Sequence, residues 1–474
     1  MSARPVVCAL LSLILSAGAG RAQAGDIDWA AAEQEAADLL SRFIQIDTTN
    51  PPGNETAAAT FLAERFRSAG IDAEVFEAAP GRGSIVARLK GKGGARPVIL
   101  LNHLDVVPAV ASEWKTPPFA GTLQDGYVAG RGAIDCKGVG TVDALALLLL
   151  KRNGPRLRRD VIFLGTADEE TGGTLGAGWM VANHFDKFGD AEFVLNEGGH
   201  IHAMPNGTRA YEVAVSEKTP CWLRLTATGK AGHGSAPPRE TAVTALIRAL
   251  YRLHTYQPSV RVTPEVQAYF GALAPLQVGV QRAHFADLRT ALASDSFRQE
   301  FLADGHNAAL VRNTLTPTVL MASQKTNVIP RSATAELDCR LLPDENPRAF
   351  LQSVTELIDD PGIRIEVMLN FPPSASPTDT RLFTAIAAAA ERDHSVVLPS
   401  VLTGFTDSHY FRDKGVVSYG FVPFAMTDDA TLGEHGLNER LSTANLRDGT
   451  RRLLELLQVL DGEGTNEPQH ADRD

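Results

Sequence analysis

Three short apolar runs in this chain each lead directly into a residue that can bind metal. Residues 98–101 lead to His103, residues 161–164 lead through Ala167-Asp168-Glu169 to Glu170, and residues 193–195 lead to Glu197. Runs this short, apolar without alternation, predict strands buried on both faces. Helical periodicity separates them. Residues 28–43 place Ala32, Ala36, Leu39, Leu40 and Phe43 on one face, and residues 55–69 form a second helix that Gly70 ends. Such alternation predicts an α/β domain whose sheet is parallel at least in part and covered on both faces. Ligands of such sheets gather at the carboxyl ends of the strands, where His103, Glu170 and Glu197 fall.

Two further stretches supply Asp135 and His435, making five candidate ligands. One zinc ion is usually satisfied by three or four protein ligands, so five point to two ions. Glu169, beside Glu170 and not needed as a ligand, has the position of a general base acting on activated water. On these grounds the chain reads as a metal-dependent hydrolase.

A length of 474 residues favours at least two domains. The net charge of −11 argues against a nucleic-acid partner. Arg4, the apolar residues 6–17 and Ala22-Gln23-Ala24 form a secretory signal, with cleavage expected after Ala24. A retained anchor is the alternative. Cys8 lies inside the apolar run, which argues against lipoprotein attachment. Export to the periplasm or outside the cell follows, and no later run is long enough to span a bilayer. The remaining cysteines, Cys136, Cys221 and Cys339, form no CxxC pair.

Near Ser216 the pattern changes. Residues 222–228 alternate, residues 318–322, 334–341 and 363–369 are strand candidates, and residues 242–253 and 347–358 are helices. The order β-α-β-β-α-β predicts a split βαβ, ferredoxin-like α+β lid spanning 218–372, inserted between catalytic parts 25–217 and 373–462. In such a lid the first and third strands are neighbours, so Cys221 and Cys339 could pair. Residues 258–313 form a long insertion with helical stretches such as 285–293. Helices over 380–392 and 445–460 return to the first domain, and residues 463–474 are a polar, disordered tail.

Singly, the motifs are modest. His103-Leu104-Asp105 can supply a ligand and its orienting carboxylate, but His-x-Asp alone is weak. Asp135, after Gly130-Arg131-Gly132-Ala133-Ile134, could be a plain helix cap. Glu169-Glu170 could be a solvated turn, and His435 an exposed loop residue. His200 and His202 are rival ligands that read better as turn residues.

Order and spacing strengthen them. His103 to Pro108, Trp114 to Phe119, Gly130 to Lys137, Asp168-Glu169-Glu170, Asn196-Glu197-Gly198-Gly199, Gly232-His233-Gly234-Ser235-Ala236-Pro237, Asn327-Val328-Ile329-Pro330 and His435 follow one another. In that order the chain resembles the dinuclear zinc family of aminoacylase-1, bacterial glutamate carboxypeptidase and succinyl-diaminopimelate desuccinylase. It is most similar to the branch of vacuolar carboxypeptidase and secreted N-fatty-acyl amino acid hydrolases. The resemblance runs from about Trp29 to Leu460.

The resemblance implies two zinc ions, with cobalt or manganese as substitutes. His103 and Glu197 would hold one, Glu170 and His435 the other, and Asp135 would bridge them. Asp105 would orient His103, and Glu169 would be the base. The bond between Asp135 and Cys136 would be cis; Cys136 stands where the family usually has Asp or Met, and could make the site sensitive to oxidation. The lid would dimerise, with His233 reaching the partner's site to hold the oxyanion. Asn327 and Arg340 would hold a substrate carboxylate, with a lid surface position the alternative for Arg340, and Gly404 would line the pocket. The expected substrate is a small molecule or short peptide with a free carboxylate, cleaved at an amide or peptide bond. N-acyl amino acid hydrolase and exopeptidase are not separable from sequence. A non-catalytic binding protein on the same scaffold would lack Glu169 or a ligand, and none is missing; the motif order disfavours a phosphoesterase.

Overall fold

The computed structural model describes residues 27–204, 208–426 and 434–462. The signal read in residues 1–24 and the tail from 463 lie outside them. Its largest element is a ten-stranded mixed sheet. At its centre Val161–Thr166, Val98–His103, Phe193–Asn196 and Val417–Gly420 run parallel, side by side. The sheet is two-sided because the apolar runs are. Leu100, Phe163 and Leu195 face the helices Trp29–Ile44, Lys137–Arg152 and Thr443–Gly462. Ile99, Leu101, Ile162, Leu164 and Val194 face the other way, against Met180, Val181 and Phe411 of two short helices. Asp28 starts the first helix by accepting from the amides of Ala30 and Ala31.

Antiparallel strands extend the sheet at both sides. Asp72–Glu77 and Gly83–Leu89 flank one side, and Arg209–Glu217 the other, with Ser395–Leu402 parallel to the last.

A second sheet has the order Thr314–Met321, Ser332–Leu341, Thr219–Thr228, Ile363–Asn370, antiparallel throughout. Helices Ala242–Thr255 and Pro347–Ile358 cover one face, where Leu223, Leu225, Ala335 and Leu337 are buried. This is the expected β-α-β-β-α-β lid. Cross-strand pairs Pro220↔Arg340 and Leu223↔Leu337 set Cys221 opposite Cys339. Both are free thiols, buried in the lid core, so the register holds and the disulfide is not formed.

The insertion forms its own helical core around Phe270, Phe285, Phe297 and Phe301, and Val401 of the catalytic sheet joins it. The stretch expected as one helix over 285–293 is two, Gly279–Ala286 and Leu288–Ala291, because Asp287 caps the second by accepting from Thr290 N. The insertion therefore packs on the strand Ser395–Leu402. The buried Lys218, just before the lid's first strand, donates to the carbonyls of Ala309 and Arg312, both at 2.9 Å, and ties the insertion's end to the domain junction. No described helix is long and apolar enough to cross a membrane.

Candidate metal centre and active site

Strand ends and the loops beyond them deliver the five candidate ligands to one place. His103 closes its strand, and Glu197 follows the end of Phe193–Asn196. Glu170 stands in a single helical turn, Glu169–Thr171, after Val161–Thr166. Asp168 turns the chain into that piece at φ 71°, a left-handed conformation uncommon outside glycine. Asp135 precedes the helix Lys137–Arg152. It is not the cap: Cys136 is, and its side chain makes no capping bond. The peptide bond between Asp135 and Cys136 is cis, as expected.

Asp135 lies between the two imidazoles. Its Oδ1 is 2.8 Å from His103 Nε2 and its Oδ2 is 3.0 Å from His435 Nε2. His103 Nε2 is also 3.4 Å from Glu197 Oε2, and His435 Nε2 is 3.2 Å from Glu170 Oε2. The donors fall into two groups that share one carboxylate. His103 Nδ1 is 3.0 Å from the Asp105 carbonyl, which can only accept, so Nδ1 carries a hydrogen and Nε2 is the nitrogen turned toward Asp135 and Glu197.

The charges crowd. Burial, then the negative charge of Asp135, pushes Glu170 up to about 7. Burial, with Glu197 and Glu170 nearby, pushes Glu169 well above the usual carboxylate range. Hydrogen bonds to Asp135 and Glu170 push His435 up to about 10. Glu170 Oε1 is buried without a hydrogen-bond partner. Packed carboxylates with an orphaned oxygen and two oriented imidazoles fit a pair of divalent cations.

Asp105 does more than orient His103. Burial opposes its ionisation, but hydrogen bonds from His103, Asn50 and Glu170 outweigh this and hold it below its ordinary value. Its Oδ1 accepts from Glu169 N at 3.2 Å, and its Oδ2 from Glu170 N at 3.2 Å and Asn50 Nδ2 at 2.8 Å. It therefore fixes the turn that carries Glu169 and Glu170, while its closer contact with His103 is through the backbone carbonyl.

Glu439 was not singled out by its sequence context. It is fully buried and accepts from Ile134 N at 2.7 Å, Gly132 N at 2.8 Å, Asp135 N at 3.0 Å and Arg131 Nη1 at 2.8 Å. It thus holds the loop that presents Asp135. Asp407 is also buried in the site, accepting from Thr166 Oγ1 at 2.7 Å, and burial pushes it up to about 8. Gly173 is obligatory beside it, since a Cβ there would fall 2.4 Å from Asp407 Oδ1.

Asp135, Glu169, Glu170, Glu197 and His435 line a cavity of ≈ 170 Å³ with apolar walls that include Val139, Leu402 and Phe405. His200 lines it too, 3.0 Å from Glu434, so it is a wall residue and not the turn residue expected. His202 lies in the short strand Ile201–Ala203 and pairs with Glu212 at 3.0 Å. His233 and Asn327 come together on an exposed lid ribbon, where Gly232–His233 pairs with Val328–Ile329 and Gly234 N donates to Asn327 O at 2.8 Å. Neither lines the cavity. Ser235 N donates to His233 Nδ1 at 3.2 Å, leaving Nε2 as the protonated nitrogen. Arg340 is wedged between Trp222 and Phe405, 5.6 and 4.9 Å from their ring centroids, and paired with Asp338 at 2.7 Å. Gly404 lies between Leu402 and Phe405, which line the cavity, but does not line it itself; a Cβ there would meet the Leu402 side chain at 3.9 Å, an ordinary contact.

A family model for the peptidase family M20/M25/M40 matches residues 99–459, and the chain belongs to that family. Aminoacylase-1 of Mus musculus is 29% identical over 416 residues, covering 86% of this chain and 91% of that protein. The N-fatty-acyl-amino acid synthase/hydrolase PM20D1 of Xenopus tropicalis is 32% identical over 388 residues, covering 79% and 74%. Among solved structures, an M20 family metallo-carboxypeptidase from Sulfolobus solfataricus superposes with a TM-score of 0.71 at 19% identity, covering 90% and 99%. A dinuclear metal-binding M20 peptidase of Bacillus subtilis gives 0.56 at 12% identity, covering 91% and 99%. The chain is a hydrolase of amide or peptide bonds with the catalytic-plus-lid fold of its family.

Proposed function

We propose that the chain is a dinuclear zinc hydrolase that cleaves an amide or peptide bond next to a free carboxylate, taking an N-acyl amino acid or a short peptide. One observation carries this reading: Asp135 directs one oxygen to each of two histidines, 2.8 and 3.0 Å away, and each histidine has its own glutamate. His103 and Glu197 would hold one zinc ion, His435 and Glu170 the other, and Asp135 would join them. Cobalt or manganese are the expected substitutes. When bound, such a pair activates a water molecule as nucleophile and polarises the carbonyl.

Glu169 removes the proton from the attacking water and later delivers it to the leaving amine. Its side chain lines the same cavity as Asp135, Glu170 and Glu197, where such a water would stand. His233, with its hydrogen on Nε2, donates to the oxyanion when the lid of a partner subunit closes in a homodimer. Asn327 and Arg340 receive the substrate carboxylate. The protein works after export, in the periplasm or outside the cell. The test is hydrolysis of N-acyl amino acids and dipeptides by zinc-loaded protein. One of the two sets should be cleaved, with loss of at least 10²-fold in Glu169→Ala, about the least a general base contributes. Equal turnover by that variant would sink the assignment.

A further inference from the structure

The residue after the bridging aspartate is a cysteine. Its ligand atom, with those of His103 and Glu197, belongs to a group lying within 4.8 Å of one another. His103 Nε2 and Glu197 Oε2 are themselves 3.4 Å apart, so the sulfur adds a third donor to a cluster already formed. Cys136 is wholly buried and stands at the cap position of the helix Lys137–Arg152, yet its side chain makes no capping bond.

We propose that Cys136 supplies a thiolate to the metal position of His103 and Glu197. The inference rests on the dinuclear reading. The two positions then differ in chemistry. One has nitrogen, oxygen and sulfur donors; the other, with His435 and Glu170, has only nitrogen and oxygen. On metal entry the S–H bond breaks, a sulfur–metal bond forms and the proton leaves to solvent, with no change in oxidation state. A soft donor favours zinc and disfavours manganese, so manganese should replace only the His435-side ion readily. The plain alternative is a protonated thiol that merely fills space beneath the site.

Cobalt(II) distinguishes the two, because a thiolate on cobalt gives an intense near-ultraviolet charge-transfer band that nitrogen and oxygen donors do not. The chain has four cysteines, so the decisive protein carries Cys8→Ser, Cys221→Ser and Cys339→Ser and keeps Cys136 alone. Wild type and this variant should each bind two cobalt ions and show the band. Cys136→Ser should lose it and hold one of its two zinc ions more weakly by at least about 10²-fold, the upper end of the loss caused by removing an outer partner. Two cobalt ions without the band would overturn the proposal and leave the dinuclear reading standing. A band lost in the Cys136-only variant would also overturn it, since the sulfur would then belong elsewhere. One cobalt or none, without the band, would overturn both. Should Cys136→Ser fail to fold, the Cys136-only protein still decides.

Discussion

Glu439 shows how much a single buried carboxylate can organise. Three backbone amides and Arg131 donate to it, so both oxygens are used and its charge is compensated. Removing one partner of a buried ion pair leaves the other desolvated and unpaired. Glu439→Ala should therefore lower the free energy of unfolding by about 3–5 kcal/mol. It should also loosen the metals, because Asp135 N loses its anchor. Denaturant melts and metal analysis would show both losses; a stable variant with two firmly held ions would refute the positioning role. Glu169 and Glu170 give the complementary contrast. Glu170→Ala should lose metal with activity, and Glu169→Ala activity alone. Reversed behaviour would exchange base and ligand. The convergence of the five candidate ligands was legible because each is a metal-capable residue at a strand end or in a known motif. Glu439, Asn50 and Asp407 were not, since their roles come from contacts made with residues far away in sequence, Asn50 in a loop that reads as ordinary turn composition.

Among the elements, the join between lid and catalytic sheet is a stack of rings. Phe371 lies on His409 at 3.7 Å between centroids, and packs edge-on to Phe405 at 5.4 Å. Burial, then the nearby Arg412, pushes His409 down to about 3. The unfolded chain takes up this proton near pH 6.5, while the folded chain resists until about 3. Between those values the unfolded state binds more protons, so stability falls as pH falls through the window, by an amount of the order of a few kcal/mol. His409→Phe keeps the stack and removes the titration. Its stability should be flatter between pH 6.5 and 3 than that of wild type, and parallel curves would rule the histidine out as the source.

The lid ribbon carries a different test. His233→Ala should lower turnover by roughly 10²–10³ with zinc content unchanged. Mixing it with Glu169→Ala subunits should recover activity through hybrid dimers. No recovery after confirmed subunit exchange would confine His233 to its own chain. The lid's order of elements was legible from period-two strands between amphipathic helices. The outer catalytic strands, such as Gly83–Leu89 and Arg209–Glu217, were not. Charged residues interrupt their apolar content, and only the neighbouring strands complete the burial.

For the whole molecule, metal and fold are linked. An ion that binds only the folded chain stabilises it by mass action. Removing the ions with a chelator should lower Tm, adding two equivalents of zinc should restore it, and elemental analysis should find about two ions per chain. A Tm indifferent to chelation would mean that the carboxylate cluster is stable without cations.

The donors are strung from His103 to His435, and the carboxylate that seats Asp135 lies later still, at Glu439. The last candidate ligand and its support are thus made after all the others. A nascent chain, or one clipped before residue 435, would have four of the five candidate donors and would lack the Glu439 contacts to Gly132, Ile134 and Asp135. On the proposed reading, activity would in this way be a proofreading signal: only a molecule that has brought His435 and Glu439 back onto the sheet that carries His103 would cut its substrate.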